Sequence, residues 1–539
     1  MATNAIPSAV PATPDANYKW RVLASVVVGL FMVILDSTVI NVALKTLQQH
    51  YNVTTNEAQW VISLYTLALG IATPLSGFLG DRFGIKRIYL SGLGLFVIGS
   101  LLCGIATALD FSADIGGLKI STLTLLIIAR AIQGIGGGIS LPLGTALLFR
   151  TFPPREIGAA FGIFGIVLVF APAMGPILGG LLVDHNLLAW IFYLNIPIGA
   201  VGIAIGLNFL RETPGSRENR ADVPGIVFSA IGFGAILLGA SIAGEQGAGW
   251  TDGRVLLALL VGVIGLGIFA FFELRARQPL LDLRLYAIPT FAIANVAALV
   301  GTIALFGAEF LLPLYLQILR GQSAFQAGLT LLPLALAAAV STVVAGRISD
   351  RIGPRLPIVV GFLLIAFNTY QLSEIKLTTD LKYIGFLLVL RGIAIGLIIQ
   401  NSQVAALRDV PPARLNRATP LVQATRQTMQ SIGVAVLATI LTTAITSKAP
   451  SNIPSNGDIS QLPPAVQQQI LAAIHNFQSQ YITGLQHAYL ATFIIAIVAT
   501  VLSAFLPGWP GKWESTAQRG AAPAAPSGAG APQPTVAAH

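Results

Sequence analysis

The stretch FMVILDSTVINVALK, Phe31 to Lys45, sets a single carboxylate, Asp36, in the middle of an apolar run from about Val22 to Leu44. A charge inside a membrane span costs several kcal/mol unless it is paired, wet or protonated. Such a residue is a functional-site hypothesis, and its alternative is a structural ion pair between helices. A change of protonation at such a site couples readily to movement, which favours the functional reading.

Composition agrees with a membrane setting. The chain of 539 residues is 55% hydrophobic and only 10% charged, with mean hydropathy +0.78. Soluble domains carry about 25% charged residues. One cysteine, Cys103, excludes a disulfide framework and a cysteine-rich metal site. The first apolar run is long enough to span, so no cleavable signal peptide is expected.

Segments of roughly 17–25 apolar residues qualify as spans. Fourteen are expected: 22–44, 58–79, 88–108, 122–148, 157–183, 189–210, 223–244, 255–272, 289–316, 326–346, 356–373, 383–406, 420–446 and 488–507. With the N-terminus placed in the cytoplasm, 21 of the 31 Lys and Arg fall on the cytoplasmic side, 7 on the outer side and 3 inside spans. This asymmetry sets the orientation, with both termini cytoplasmic. It also accounts for the net charge of +9 by loops beside anionic lipid, so no nucleic-acid partner is expected.

The charges left inside spans are Asp36, Glu309, Arg130, Arg391 and Arg426, with Glu273 just past the eighth span. No histidine falls inside a span, so proton handling is expected to rest on carboxylates.

Two segments repeat. Gly77-Phe-Leu-Gly-Asp81-Arg82-Phe-Gly84-Ile-Lys86-Arg87 follows the second span, and Gly346-Arg-Ile-Ser-Asp350-Arg351-Ile-Gly353-Pro-Arg355 follows the tenth, 269 residues later. Arg130 with Gly134 is matched 261 residues on by Arg391 with Gly392 and Gly396. Two matched sites in the same order argue for duplicated halves. The expected organisation is a disordered N-terminus (1–17), a six-helix bundle (18–212), a two-helix insertion with linkers (213–286), a second six-helix bundle (287–508) and a disordered tail (509–539). Outer loop 447–487 is expected to be turn-rich over 447–464 and to carry a surface helix over 465–480.

These motifs together resemble the major facilitator superfamily, in particular the fourteen-span drug:proton antiporters of the EmrB/QacA type, over about residues 18–508. Leu35-Asp36-Ser-Thr-Val-Ile-Asn41-Val-Ala-Leu44 is similar to the family's first-span motif, with Lys45 in place of its closing proline. The 77–87 segment resembles the signature loop between spans 2 and 3. Arg130, Gln133, Gly134 and Gly136 match the fourth-span pattern that the family links to proton transfer. Gly175, Pro176, Gly179 and Gly180 match the end of the antiporter motif of span 5, whose upstream glycines are only partly present. Trp190, Phe192, Asn195, Pro197 and Gly199 match a sixth-span pattern. Leu312-Pro313-Leu-Tyr315 and Gly328-Leu-Thr-Leu-Leu-Pro333 resemble spans 9 and 10 of the subfamily.

The resemblance implies an all-α membrane protein of two six-helix bundles plus two extra central helices. It implies proton-coupled export of hydrophobic or amphipathic compounds by alternating access, across a bacterial cytoplasmic (inner) membrane. Asp36 would carry the proton and Arg130 would tune it electrostatically, since an arginine keeps its own proton. The other reading of Arg130 is a buried arginine bonded to helix carbonyls. Glu309, on the pseudo-equivalent of span 1, either serves coupling and cationic substrates or reaches outer headgroups. Asp36, Asn41, Gln133, Glu309, Arg391 and Arg426 are the expected cavity residues, with Arg426 facing either the cavity or headgroups.

Asp81 is expected to accept from backbone N–H groups at a helix start in the other half, and Arg82, Lys86 and Arg87 to bind carbonyls, acids or lipid phosphate. Breaking those contacts would bias the inward and outward states. The plainer reading is that these basic residues only set orientation. Gly175, Pro176, Gly179 and Gly180 would permit close contact and a bend, or a generic packing interface.

No Walker-type G-x-x-x-x-G-K-[ST] occurs, so direct ATP coupling is not expected. No metal-ligand cluster and no nucleophile–base constellation stands out, so neither an enzyme nor a cofactor is expected, the drive being the proton gradient. Expected partners are small amphipathic substrates, protons and lipids. A periplasmic adaptor protein is implied only by some family members. Two rivals stand beside this reading: export of an endogenous amphiphile such as a fatty acid or lipid, in which the arginines would matter more than the acids, and a non-transporting membrane sensor or scaffold.

Overall fold

A computed structural model describes residues 17–506 except 110–111, 116–117, 154–155, 214, 216–221, 244–249, 308, 310, 412–413 and 446–462. The termini expected to be disordered lie outside the described residues apart from Asn17, as does the expected turn-rich part of the 447–487 loop up to 462. The helices are α1 (Tyr18–Tyr51), α2 (Thr55–Phe83), α3 (Ile85–Ala108), α4 (Thr122–Thr151), α5 (Ile157–Asp184), α6 (Trp190–Tyr193), α7 (Asn195–Phe209), α8 (Val223–Ala243), α9 (Gly253–Arg275), α10 (Pro289–Gly307), α11 (Leu311–Leu314), α12 (Ala324–Ile352), α13 (Arg355–Ser373), α14 (Leu381–Leu407), α15 (Leu415–Thr443) and α16 (Pro464–Ala504).

Among the described residues, thirteen helices are long and apolar enough to cross a membrane, α6 joining α7 and α10 joining the turns after it. The expected span missing from these thirteen, 420–446, corresponds to α15, which has the length but dilutes its apolar content with Asn416, Arg417, Gln423, Arg426, Gln427 and Gln430. The protein is a multi-pass membrane protein. Its outward faces are apolar, as lipid contact requires: Leu257, Val263, Val340 and Phe505 each leave more than half of their surface uncovered.

Helix starts follow from their caps. Thr54 with Glu57 closes a capping box on α2, and Ser323 with Gln326 closes the same box on α12. The repeat read from the sequence therefore extends to helix entry as well as exit. Both α2 and α12 end on a glycine with positive φ, Gly84 at 96° and Gly353 at 86°, a conformation closed to most side chains. Each glycine turns the chain directly into the next helix.

Three departures from the sequence reading have physical reasons. The link between α3 and α4 contains an antiparallel pair of strands, β1 (Ser112–Ile115) and β2 (Leu118–Ser121), with Ala113 opposite Ile120. Among the described residues the fold is all-α apart from this ribbon. The expected surface helix 465–480 is continuous with the last span in the single 41-residue helix α16. Extending a formed helix is cheap, and Ile470, Tyr481 and Leu485 bury one stripe of it. Glu273 lies inside α9, fully buried, where it accepts from the Leu280 N–H at 3.1 Å and folds the following turn back.

The insertion α8–α9 pairs with itself and then packs against α2 and α15. Ser63 and Ser241 hydroxyls lie 2.5 Å apart, and the Trp250 indole donates to Thr439 at 2.7 Å. Both halves of the molecule therefore hold the extra pair. On the opposite flank the halves meet along α5 and α12.

Candidate functional site

In the first half, side chains from four other helices gather around Asp36 of α1. Arg130 of α4 donates through one terminal nitrogen to Asp36 Oδ2 at 2.5 Å and to Gln133 Oε1 at 2.6 Å. Gln133 Nε2 donates to Asp36 Oδ1 at 2.9 Å and to Ser100 of α3 at 2.6 Å. Asn195, the first residue of α7, donates to Asp36 Oδ1 at 2.7 Å and to Ser100 at 2.8 Å. From α2, the Val61 carbonyl takes the Arg130 Nε–H at 3.3 Å, and the Tyr65 ring lies 4.1 Å under the guanidinium. Arg130 is 0% and Asp36 1% exposed.

The carboxylate thus accepts from a cation and two amides inside an apolar shell. A buried pair of this kind costs about 3–5 kcal/mol to break from one side.

The second half repeats the arginine without the closure. Arg391 of α14 donates to the Leu305 carbonyl at 2.9 Å, while its other terminal nitrogen and the Tyr489 hydroxyl have no partner among the described residues. Glu309 sits in the turn between α10 and α11, near enough to Arg391 for electrostatic contact but outside ion-pair distance. The structure therefore brings Asp36, Arg130 and Gln133 together and keeps Glu309 apart from them, beside Arg391.

A small cleft, open on one side, lies between α10, α14 and α15, lined among others by Asn295, Thr302, Phe306, Ser402, Gln403 and Arg426. Of the expected cavity residues, Arg426 lines it. Asp36, Gln133 and Arg391 are buried behind helix surfaces in this conformation, and the side chain of Asn41 lies outside the described residues.

The signature segments join the halves at the end of the bundle that bears the basic loops. Asp81 accepts from the Asn416 side-chain amide and lies 3.6 Å from Arg417 Nε, both in the first turn of α15, while Gly77 abuts the Asn416 carbonyl. Asp81 was expected to take backbone N–H groups. It takes side chains instead, because Asn416 and Arg417 reach it first. The backbone role belongs to its repeat: Asp350 Oδ1 accepts from Gly158 N–H at 3.1 Å at the start of α5. Gly346 and Gly158 lie with each carbonyl against the other's α-carbon, where a side chain on either would collide.

Lys86 donates to the Leu207 carbonyl at 2.8 Å, Arg87 pairs with Glu212 at 3.5 Å, and Arg82 lies 5.8 Å over the Phe78 ring. Arg351 and Arg355 are exposed. On α5, Gly175 faces Thr38 of α1, Gly180 faces Phe325 of α12, Pro176 meets Gly328, and Gly179 is buried. This segment is wedged between one helix of its own half and one of the other.

Ser100, Tyr65 and Asn416 were absent from the sequence-derived candidates. Asn195 was noted only as part of a motif. Its position at a helix restart inside an apolar span was the one signal available.

The family model described as Major Facilitator Superfamily matches residues 26–436. The chain is 32% identical to the multidrug resistance protein B homolog of Mycobacterium tuberculosis (strain ATCC 25618 / H37Rv) over 501 residues, covering 90% of this chain and 88% of that protein. It is 29% identical to the lincomycin resistance protein LmrB of Bacillus subtilis (strain 168), covering 92% and 98%. Among solved structures, the proton:xylose symporter XylE shares the fold with a TM-score of 0.56 at 14% identity, covering 92% of this chain and 97% of that one. The chain belongs to the major facilitator superfamily, among transporters that include multidrug and antibiotic resistance proteins.

Proposed function

We propose that the protein is a proton-coupled antiporter that exports hydrophobic or amphipathic compounds by alternating access across the bacterial cytoplasmic membrane, with both termini cytoplasmic and no cofactor. The buried Asp36–Arg130 pair carries this reading. A proton reaching Asp36 would replace Arg130 as its partner, and the freed guanidinium would have to seek another acceptor or water. Movement of α1 against α4 would follow, and α5, wedged by Gly175 against α1, would pass it to α12. Asp81 and Asp350 would make and break the latches that hold the basic end closed. Glu309 would set the charge beside Arg391. The likeness to multidrug and lincomycin resistance proteins supports drug-like amphiphiles as cargo.

The test is transport into proteoliposomes under an imposed pH gradient, following cationic, neutral and anionic fluorescent amphiphiles. Wild type should move at least one class in a gradient-dependent way, and Asp36→Asn should not. Absence of gradient-driven movement for every class defeats antiport. Retained movement in Asp36→Asn removes Asp36 from the coupling.

A further inference from the structure

The cavity between α10, α14 and α15 has an unusual lining for its depth. Arg426 points into it and makes no ion pair or hydrogen bond with any described residue. Asn295 and Gln403 are 1% and 4% exposed, and Asn295 Nδ2 and both amide atoms of Gln403 have no partner. Buried amides and guanidinium groups are normally satisfied, because leaving them bare costs free energy. Here three donor groups face one space, and no Asp or Glu stands among the described lining residues. Apart from the Thr302 and Ser402 hydroxyls, the remaining walls are apolar, from residues including Leu305, Phe306, Ile398, Ile399 and Val422.

We infer that this cavity is a head-group subsite for amphiphiles bearing a carboxylate or comparable anionic head, with Arg426 as the charge partner, Asn295 and Gln403 as neutral donors, and the apolar wall taking the tail. The sign of the lone guanidinium selects against lipophilic cations, since a like charge brought beside it is repelled in a low-dielectric site. The planar guanidinium offers two N–H groups to a carboxylate's two oxygens, which a single neutral donor cannot do. This subsite rests on the transporter reading only for its role as cargo site. Its binding chemistry stands on the lining residues alone. An anionic head could arrive on a free substrate or on a bilayer lipid, and the same three residues would hold either.

The experiment is equilibrium binding to the full chain in nanodiscs of zwitterionic lipid, without any gradient, using a dansyl-labelled long-chain carboxylic acid, its methyl ester and the matching amine. The acid should bind about tenfold or more tightly than the ester, as a charge-assisted hydrogen bond implies, and the amine more weakly than both. Arg426→Gln should bring the affinities of acid and ester together, and Arg426→Lys should keep part of the preference. Gln403→Ala should weaken the acid about fivefold.

Discs containing phosphatidylglycerol separate the two sources: competition with the probe marks a lipid occupant, and its absence marks a free substrate. Either result requires the acid to beat the ester in zwitterionic discs. Equal binding of acid and ester by wild type, or an undiminished preference in Arg426→Gln, overturns the inference. Because no gradient is applied, failure of proton coupling leaves this result untouched, and failure here leaves proton coupling standing.

Discussion

Arg130 and Arg391 occupy matched places in the two halves, yet their surroundings differ in kind. Arg130 is closed off by Asp36, Gln133 and an aromatic ring, and it holds the tightest polar cluster in the first half. Arg391 keeps one carbonyl bond and an idle nitrogen, with Glu309 standing off and Arg426 bare in the cavity nearby. A charge that is fully paired responds to loss of its partner. A charge that is incompletely paired responds to arrival of one. On the proposed antiport reading, the two matched arginines would serve two uses, proton exchange in the first half and reception of cargo in the second.

The largest test of this contrast is Asp36→Asn, which should abolish gradient-driven transport. It should also destabilise the folded protein by about 3–5 kcal/mol, because Arg130 is left charged and buried without its counter-ion. Transport and thermal unfolding in the same preparation check both. Arg130→Ala should cost a similar amount by exposing Asp36 to the same isolation, whereas Arg391→Ala should cost only about 1–2 kcal/mol, the scale of one charge-assisted bond. Equal losses from the two arginines would break the asymmetry.

Next in size are the latches at the basic end. Asp350→Ala removes an acceptor from the start of α5, and Gly346→Val drives a side chain into Gly158. Each should separate α5 from α12 at that end, seen as longer distances between spin labels placed on those helices. Asp350→Ala should shift the balance of states by about 1–3 kcal/mol. The smallest effect belongs to the exposed Arg87–Glu212 pair. Glu212→Gln should change stability by less than about 1 kcal/mol and lose even that at high salt. A large effect there would mean the signature loop does more than orient and tether.

The sequence made the charged centre legible because acids and arginines stand out against apolar runs, and Asp36 and Arg130 could be named without coordinates. Of the neutral members, Gln133 was named through its motif and the others were not assigned to the site. Ser100, Tyr65 and Asn195 are ordinary residues for a membrane helix, and only packing reveals that they face one carboxylate. Asp81 and Asn416 are 335 positions apart, so their pairing is a tertiary fact that no local pattern carries. The extent of α15 was readable in outline, yet its polar face became intelligible only once Arg426 was seen lining a cavity. The fusion of the expected surface helix into α16 escaped because nothing local distinguishes an end from a continuation there.

The most direct test of the central claim is proton release on cargo binding, measured with a pH indicator on purified protein in weakly buffered solution near neutral pH. Wild type should release protons when a transported amphiphile is added, and Asp36→Asn should bind the amphiphile and release none. Equal proton release by Asp36→Asn would contradict the assignment of Asp36 as the group that exchanges a proton for cargo.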